Sequence, residues 1–243
     1  NKLSPGKFFY ENSLMNLFTI HHSYLNKVEK VISTGTVSSY PKNTPLPFEE
    51  KNIWDGYPEE VNASYGIAKR IMHTHSLSYL KQYNFKSYLL LLTNLYGPND
   101  NFNPKSSHVI ASLIKKFYEG KIKNKKFVEV WGDGKATRDF CFIDDIVEGL
   151  ILTAKKYKKT EPLNLGSGKE ISIKFLANLI KSKIGYKGKI KWLINKPVGP
   201  KRRFLKIQKA KKEIGYRPKV DIQEGLDRTI NWYVKNYKSI DLK

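Results

Sequence analysis

The sequence predicts an α/β fold, a doubly wound sheet of mainly parallel strands with helices on both faces. Three observations lead there. Short apolar runs at 30–34 and 87–92 alternate with stretches of helical periodicity. The second run, Ser87-Tyr88-Leu89-Leu90-Leu91-Leu92, is apolar on successive residues, the pattern of a parallel strand covered on both faces. Each run is followed by a polar turn, at 36–41 and 93–98, the strand end at which open sheets of this class receive ligands.

Taken in order, residues 9–24 carry Tyr10, Leu14, Leu17, Phe18 and His21 at helical spacing. A short strand at 30–34 follows, broken by Gly35. Thr36-Val37-Ser38-Ser39-Tyr40-Pro41 then leaves the strand as a hydroxyl-rich loop. Such residues favour turns in any setting, so a ligand loop and a plain turn are both open at this point. Residues 41–62 form a long connection with four prolines and little periodicity, a length usually functional or disordered. A helix begins with Ser64 as N-cap and continues through Ala68, Ile71, Met72, His75, Tyr79, Leu80 and Tyr83. From 107 the alternation loosens: a helix at 108–118, a strand at 127–131, a Gly132-Asp133-Gly134 turn and a strand at 139–143. Asp144 caps a helix to Tyr157, a strand spans 163–165, and helices at 173–184 and 223–237 close the chain.

Bulk composition narrows the function classes. A chain of 243 residues with 40% hydrophobic and 13% aromatic content buries a substantial core. The single cysteine, Cys141, excludes an intrachain disulfide and a cysteine-based zinc site, and no metal is expected. No apolar run reaches transmembrane length and the first residues lack a signal-peptide core, so the expectation is a cytoplasmic protein without a membrane partner. The net charge of +22 invites a nucleic-acid reading. The lysines are dispersed over the whole length, dense only at 196–211, and no nucleic-acid motif accompanies them. An anionic small molecule is the better partner.

Tyr65 and Lys69 hold the chemistry most directly legible. Four residues apart on a helix, they share one face, bordering its buried side. A phenol has a pKa of about 10, and a cation one turn away lowers it, giving a hydroxyl able to exchange a proton during hydride transfer. A helix-face tyrosine beside a solvated lysine is the bland reading of the same four residues.

Several blocks in one order decide between them. Gly35-Thr36-Val37-Ser38-Ser39-Tyr40-Pro41-Lys42, Tyr65-Gly66-Ile67-Ala68-Lys69, Asn94-Leu95-Tyr96-Gly97-Pro98-Asn99-Asp100-Asn101-Phe102 and Ser107-His108-Val109-Ile110 resemble the GDP-L-fucose synthase family of extended short-chain dehydrogenase/reductases. Val130-Trp131-Gly132-Asp133-Gly134, Thr137-Arg138-Asp139-Phe140, Asn164-Leu165-Gly166-Ser167-Gly168 and Lys196-Pro197 with Arg202-Arg203 continue it over essentially the whole chain. The resemblance implies a Rossmann-type NADP-binding domain, of which residues 1–104 are the remaining part. It implies a smaller C-terminal α/β substrate domain over most of 105–243, with 138–165 returning to the Rossmann core.

The family reduces a GDP-4-keto-6-deoxy sugar with NADPH after epimerising it at C3 and C5. By resemblance Tyr65 is the proton donor to the C4 oxygen, Lys69 its partner and a ribose ligand, and Thr36 a hydroxyl that orients the ketone. His108 matches the acid of the epimerisation. Gly35, Thr93, Asn94 and Leu95, together with Thr36, Tyr65, Lys69 and His108, match contacts of the cofactor NADP(H). Asn94, Lys116, Trp131, Arg138 and Arg203 match contacts of the GDP-sugar, and arginine's forked donors suit phosphate oxygens on chemical grounds as well. A homodimer through the Tyr65 helix and the helix before it is implied.

Two departures matter. The family's Y-P-K loop has a cysteine two residues before the tyrosine, the base that removes the C3 and C5 protons; here the position is Ser38. A thiol near pKa 8.5 is tunable to a thiolate at neutral pH, whereas an alkyl hydroxyl is not without a dedicated base. The expectation is C4 reduction with epimerisation impaired, and Val198 and Lys206 are lesser departures. Second, the family's opening βαβ unit with its G-x-x-G-x-x-G pyrophosphate turn is missing from this sequence, and Gly166-Ser167-Gly168 does not replace it. Poor NADPH binding by the 243 residues alone is therefore expected. The alternatives are another nucleotide-sugar epimerase or dehydratase of the same superfamily, a catalytically silent nucleotide-sugar-binding homologue, or a nucleic-acid binder. A hexose and a heptose substrate are equally compatible with these contacts.

Overall fold

The computed structural model describes residues 4–196 and 198–241 and divides them into two compact units. Pro197, in the Lys196-Pro197 block, lies outside the described residues.

The first unit comprises residues up to Thr93, Asp145–Gly168 and Phe204–Pro218. Its sheet is parallel, in the order β1 (Lys30–Thr36), β2 (Lys86–Leu92), β7 (Leu163–Leu165). The register runs from Lys30 opposite Lys86 to Thr36 opposite Leu92, and Leu92 lies opposite Leu165. β2 is buried from Ser87 to Leu92, as its unbroken apolar run requires. β1 runs straight through Gly35 instead of breaking there. A Cβ at Gly35 would lie 3.0 Å from the Leu89 and Leu91 side chains, so the glycine admits the neighbouring strand's leucines. Most of α4 (Ile143–Lys156) and all of α6 (Gln208–Ile214) complete the unit.

Two long helices, α1 (Pro5–Leu25) and α2 (Ala63–Tyr83), pack together beside this sheet. The expected stripe of α1 is not its buried face. Tyr10 and Phe18 are exposed, and Ser13, Asn16 and Ile20 are buried instead. Small and polar residues let the helices approach, and the Asn16 amide donates to the Ala68 carbonyl at 2.9 Å. α2 starts one residue before Ser64, with Asn62 as its N-cap, so Ser64 lies in the first turn. The 41–62 connection is ordered by 3-10 turns at Glu50–Trp54 and Glu60–Asn62 and by a bridge between Pro41 and Pro58. A buried network pins it to β7. The Tyr40 hydroxyl donates to Asn164 Oδ1 at 2.7 Å, Asn164 Nδ2 donates to the Phe48 carbonyl, and the Asn164 amide donates to Glu50 Oε1.

The second unit comprises Asn94–Asp144, Lys169–Arg203 and the residues from Lys219. Its strands form three small sheets. β3 (Asn94–Tyr96) pairs in parallel with β6 (Phe140–Phe142), and β4 (Phe127–Trp131) with β9 (Lys189–Leu193). β5 (Thr137–Arg138) lies between β10 (Arg202–Arg203), parallel, and β8 (Ile171–Ser172), antiparallel. Asn94-Leu95-Tyr96 is thus a strand and not the turn its polarity suggested. α3 (Val109–Ile122), α5 (Ile173–Ile184) and α7 (Ile222–Asp241) surround a core in which Ile114, Phe117, Phe142, Leu176 and Tyr233 are fully buried. Among the described residues no helix is long and apolar enough to cross a membrane.

Candidate active site

In the first unit the candidate residues converge on the carboxyl ends of β1 and β2. Thr36 is the last residue of β1, opposite Leu92, and Thr93 follows β2. Val37–Ser39 forms a 3-10 turn capped by Thr36, whose Oγ1 accepts from the Ser38 amide at 3.2 Å. A hydroxyl that accepts from the backbone keeps its own proton to donate elsewhere, the capacity needed to orient a ketone.

This turn sits directly on α2. A Cβ at Gly66 would lie 2.6 Å from the Ser38 carbonyl oxygen, so only glycine permits the approach. The neighbours of Gly66 in the Tyr65-Gly66-Ile67-Ala68-Lys69 block are thereby held beside the hydroxyl turn. Lys69 Nζ lies 5.7 Å from the centre of the Tyr65 ring. Tyr65 and Lys69 are half-buried, and neither polar end makes a hydrogen bond or ion pair among the described residues.

Burial, not the lysine, sets the direction of the Tyr65 pKa. Desolvation pushes the phenol above its ordinary value and the Lys69 ammonium below its own. The spacing of the two residues alone predicts a phenol lowered by the cation; in the protein as it stands, burial opposes that. The consequence is chemically apt, because a tyrosine that donates in a reduction must hold its proton at neutral pH. Lys69 supplies a charge close enough to favour the phenolate once it forms.

In the second unit a cavity of about 480 Å³ is lined by Asn94, Leu95, His108, Lys116, Trp131 and Arg138 together. Asn94 is fixed from β3 by an Nδ2 bond to the Asp139 carbonyl at 3.0 Å. His108 stands exposed at the N-cap of α3, where its carbonyl accepts the Ser112 amide. Lys116, two turns further along the helix, donates to the Glu129 carbonyl at 3.1 Å, and burial lowers its pKa. Arg138 donates to the carbonyls of Thr137 and Val198, at 2.7 and 3.1 Å. Trp131 is 54% exposed, with Lys196 Nζ 5.9 Å from its ring centre.

Lys105, Lys116 and Arg138 outnumber the one carboxylate of the lining, Asp133, and with the open face of Trp131 around a volume of this size they suit an anionic ligand carrying a flat ring. Arg203 lies in register beside Arg138, but does not line the cavity. Its neighbour Arg202 is committed to a forked ion pair with Glu170, at 2.8 and 2.6 Å. Lys105, Asp133 and Val198 line the cavity without having been singled out as ligands. They carry no spacing signal of their own, although Val198 had stood out as a departure. Gly35, Thr36, Ser38, Tyr65, Lys69 and Thr93 belong to the first unit, and Asn94, Leu95, His108, Lys116, Trp131, Arg138 and Arg203 to the second.

Known proteins are similar to this chain in sequence and fold. GDP-L-fucose synthase 1 of Arabidopsis thaliana is 35% identical over 236 residues, which cover 97% of this chain and 73% of that protein. The structure superposes with a TM-score of 0.90 on a GDP-6-OMe-4-keto-L-xylo-heptose reductase from C. jejuni, at 28% identity, covering 97% of this chain and 79% of that one. A GDP-L-fucose synthetase from Naegleria fowleri bound to NADP gives 0.91 at 26% identity, covering 98% of this chain and 75% of that one. Residues 1–166 match the model of a family named for NAD-dependent epimerases and dehydratases, and that match runs through the Thr36 turn, the Tyr65–Lys69 helix and β7. On these grounds the chain belongs to the NAD dependent epimerase/dehydratase family.

Proposed function

We propose that this protein is an NADP(H)-dependent reductase of a GDP-4-keto-6-deoxy sugar whose 3,5-epimerase step is impaired. One observation carries the reading: Tyr65 and Lys69 are half-buried, have no hydrogen-bond or ion-pair partner among the described residues, and flank the glycine on which the Thr36–Ser39 turn sits. The GDP-sugar specificity of the relatives and the cationic cavity with its open tryptophan support the substrate class.

The residues fit the cofactor at its nicotinamide-ribose end. A half-buried ammonium without a hydrogen-bond acceptor is costly, and the ribose hydroxyls supply acceptors that Lys69 lacks. When bound, NADPH supplies the hydride for C4. The protein's share is proton delivery and orientation. Thr36, its Oγ1 already accepting from Ser38, donates to the substrate's C4 oxygen and fixes the face presented. Tyr65 gives that oxygen a proton as its charge develops, and Lys69 stabilises the phenolate left behind. In the second unit, Lys116 and Arg138 hold the diphosphate and Trp131 the guanine ring.

Ser38 stands where the family's cysteine removes the C3 and C5 protons, and an alkyl hydroxyl is not tuned to an anion at neutral pH as a thiol is, which is the ground for an impaired epimerisation. A homodimer through α1 and α2 is part of the same proposal, supported by the exposed Tyr10, Met15 and Phe18 of α1.

The test is NADPH oxidation, followed at the nicotinamide band, with GDP-, UDP- and dTDP-linked 4-keto-6-deoxy sugars. Turnover confined to the GDP sugar supports the reading. Equal turnover of all three sinks the specificity, and none with any sinks the reductase.

A further inference from the structure

The residue after Lys69 is a buried cation that the reaction leaves unused. Arg70 is only 4% exposed, and a buried arginine is ordinarily found against a carboxylate. Its partners here are two backbone carbonyls from separate segments. Nε donates to Ser39 O at 2.6 Å and Nη1 to Gly56 O at 2.8 Å. The guanidinium lies over Trp54, 5.5 Å from its ring centre, and Nη2 is buried without a hydrogen-bond partner among the described residues.

The two carbonyls belong to the site's own framework. Ser39 ends the hydroxyl turn begun by Thr36. Gly56 lies in the 41–62 connection, which doubles back on that turn: Pro41 bridges Pro58, and the Lys42 amide donates to Tyr57 O at 3.0 Å. Only a forked donor reaches both segments from one helix position; lysine offers a single point charge. A buried charge with an unsatisfied nitrogen is a poor device for stability, since apolar packing does that better. It is a good device for setting one geometry.

We propose that Arg70 is a positioning residue, locking the Thr36–Ser39 turn to the helix that carries Tyr65 and Lys69. The proton donor and the hydroxyl that orients the ketone are thereby referenced to the same rigid element. This rests on the reductase reading for its catalytic consequence, but not for the anchoring itself.

The experiment compares Arg70→Ala and Arg70→Lys with the parent in the full chain, by amide hydrogen exchange and by steady-state kinetics. In Arg70→Ala, exchange at 37–42 and 55–58 rises about tenfold or more while β1, β2 and β7 keep their protection. kcat for C4 reduction falls about a hundredfold with both KM values within about threefold, the effect of a misplaced group that binds nothing. Added guanidinium restores at least part of that kcat, which a purely structural loss would not allow. Arg70→Lys shows the same local pattern in smaller measure, and is the variant read if the alanine form does not fold. Unchanged exchange at 37–42, or a uniform rise that includes the sheet, overturns the proposal. If the parent reduces no GDP-keto sugar, the functional reading fails while the exchange measurement still decides the anchoring.

Discussion

Tyr65 is where a raised pKa has a mechanistic sign. The protonated phenol is the active form for reduction, and burial holds the proton to higher pH than an ordinary tyrosine would. kcat/KM for reduction is therefore expected to stay level through neutrality and to lose its tyrosine-dependent limb only above the pH at which an ordinary tyrosine ionises. A limb from this group well below that pH would mean that a cation dominates after all. Tyr65→Phe removes the proton and leaves the ring, so kcat falls about 10²- to 10⁴-fold with little change in NADPH affinity. Ser38 makes the complementary prediction. Ser38→Cys restores a group tunable to an anion in the same turn, and solvent deuterium then enters the product at C3 and C5. If the cysteine variant exchanges no more than the parent, the missing thiol is not what limits epimerisation.

At the scale of elements, the Gly66 contact ties a turn to a helix. A Cβ there would meet the Ser38 carbonyl oxygen at 2.6 Å, and neither backbone is free to give. Gly66→Ala is expected to cost about 1–3 kcal/mol of stability and to lower kcat more than it raises KM, measured by chemical denaturation and steady-state kinetics. An alanine variant as active as the parent would show that the turn need not sit so close. The network on β7 supplies a prediction in pH. Burial raises the Glu50 carboxyl above its ordinary value. The folded protein thus keeps a proton that the unfolded chain has released, and stability falls as pH rises through the window between the two pKa values. Glu50→Gln keeps an acceptor for the Asn164 amide and abolishes the ionisation. Relative to the parent it gains stability at about pH 8 and loses that gain at about pH 4, below the unfolded value. A melting-temperature difference that runs the other way would contradict this.

The same elements show what was legible in the residues. β2 was plain because a strand buried on both faces is apolar on successive residues, here from Tyr88 to Leu92. The helix of Tyr65 was plain in period, but its buried Arg70, His73 and Ser76 were not, since polar side chains bonded to the backbone or to neighbouring side chains leave no trace in hydropathy. α1 misled for the opposite reason: Tyr10 and Phe18 of its apolar stripe are exposed, and its buried residues are Ser13, Asn16 and Ile20. Asn94 looked like a turn residue because a three-residue strand is too short to show alternation. At the site, Lys116, Trp131 and Arg138 came from a family resemblance, and no spacing would have joined residues so far apart in sequence. Arg70 had no signal beyond its adjacency to Lys69.

For the molecule as a whole, the charge and the exposed apolar residues call for partners of different kinds. The +22 charge is spread over both units, and Lys105, Lys116 and Arg138 are members of it that line the cavity of the second unit. The apolar side chains left outside on α1 are expected to be covered by a second copy, giving a sedimentation mass of two chains that Phe18→Glu reduces to one. A monomeric parent would remove that part of the reading. The central claim is a division of labour within one site, with the reducing proton kept at Tyr65 and the epimerising base lost at Ser38. It is tested most directly by NMR of the product formed from GDP-4-keto-6-deoxy-D-mannose and NADPH in deuterated water. The expected product carries a new hydrogen at C4 from the cofactor and its original hydrogens at C3 and C5. Deuterium at C3 and C5 at the rate of turnover, or a C4 ketone left intact, would contradict the claim.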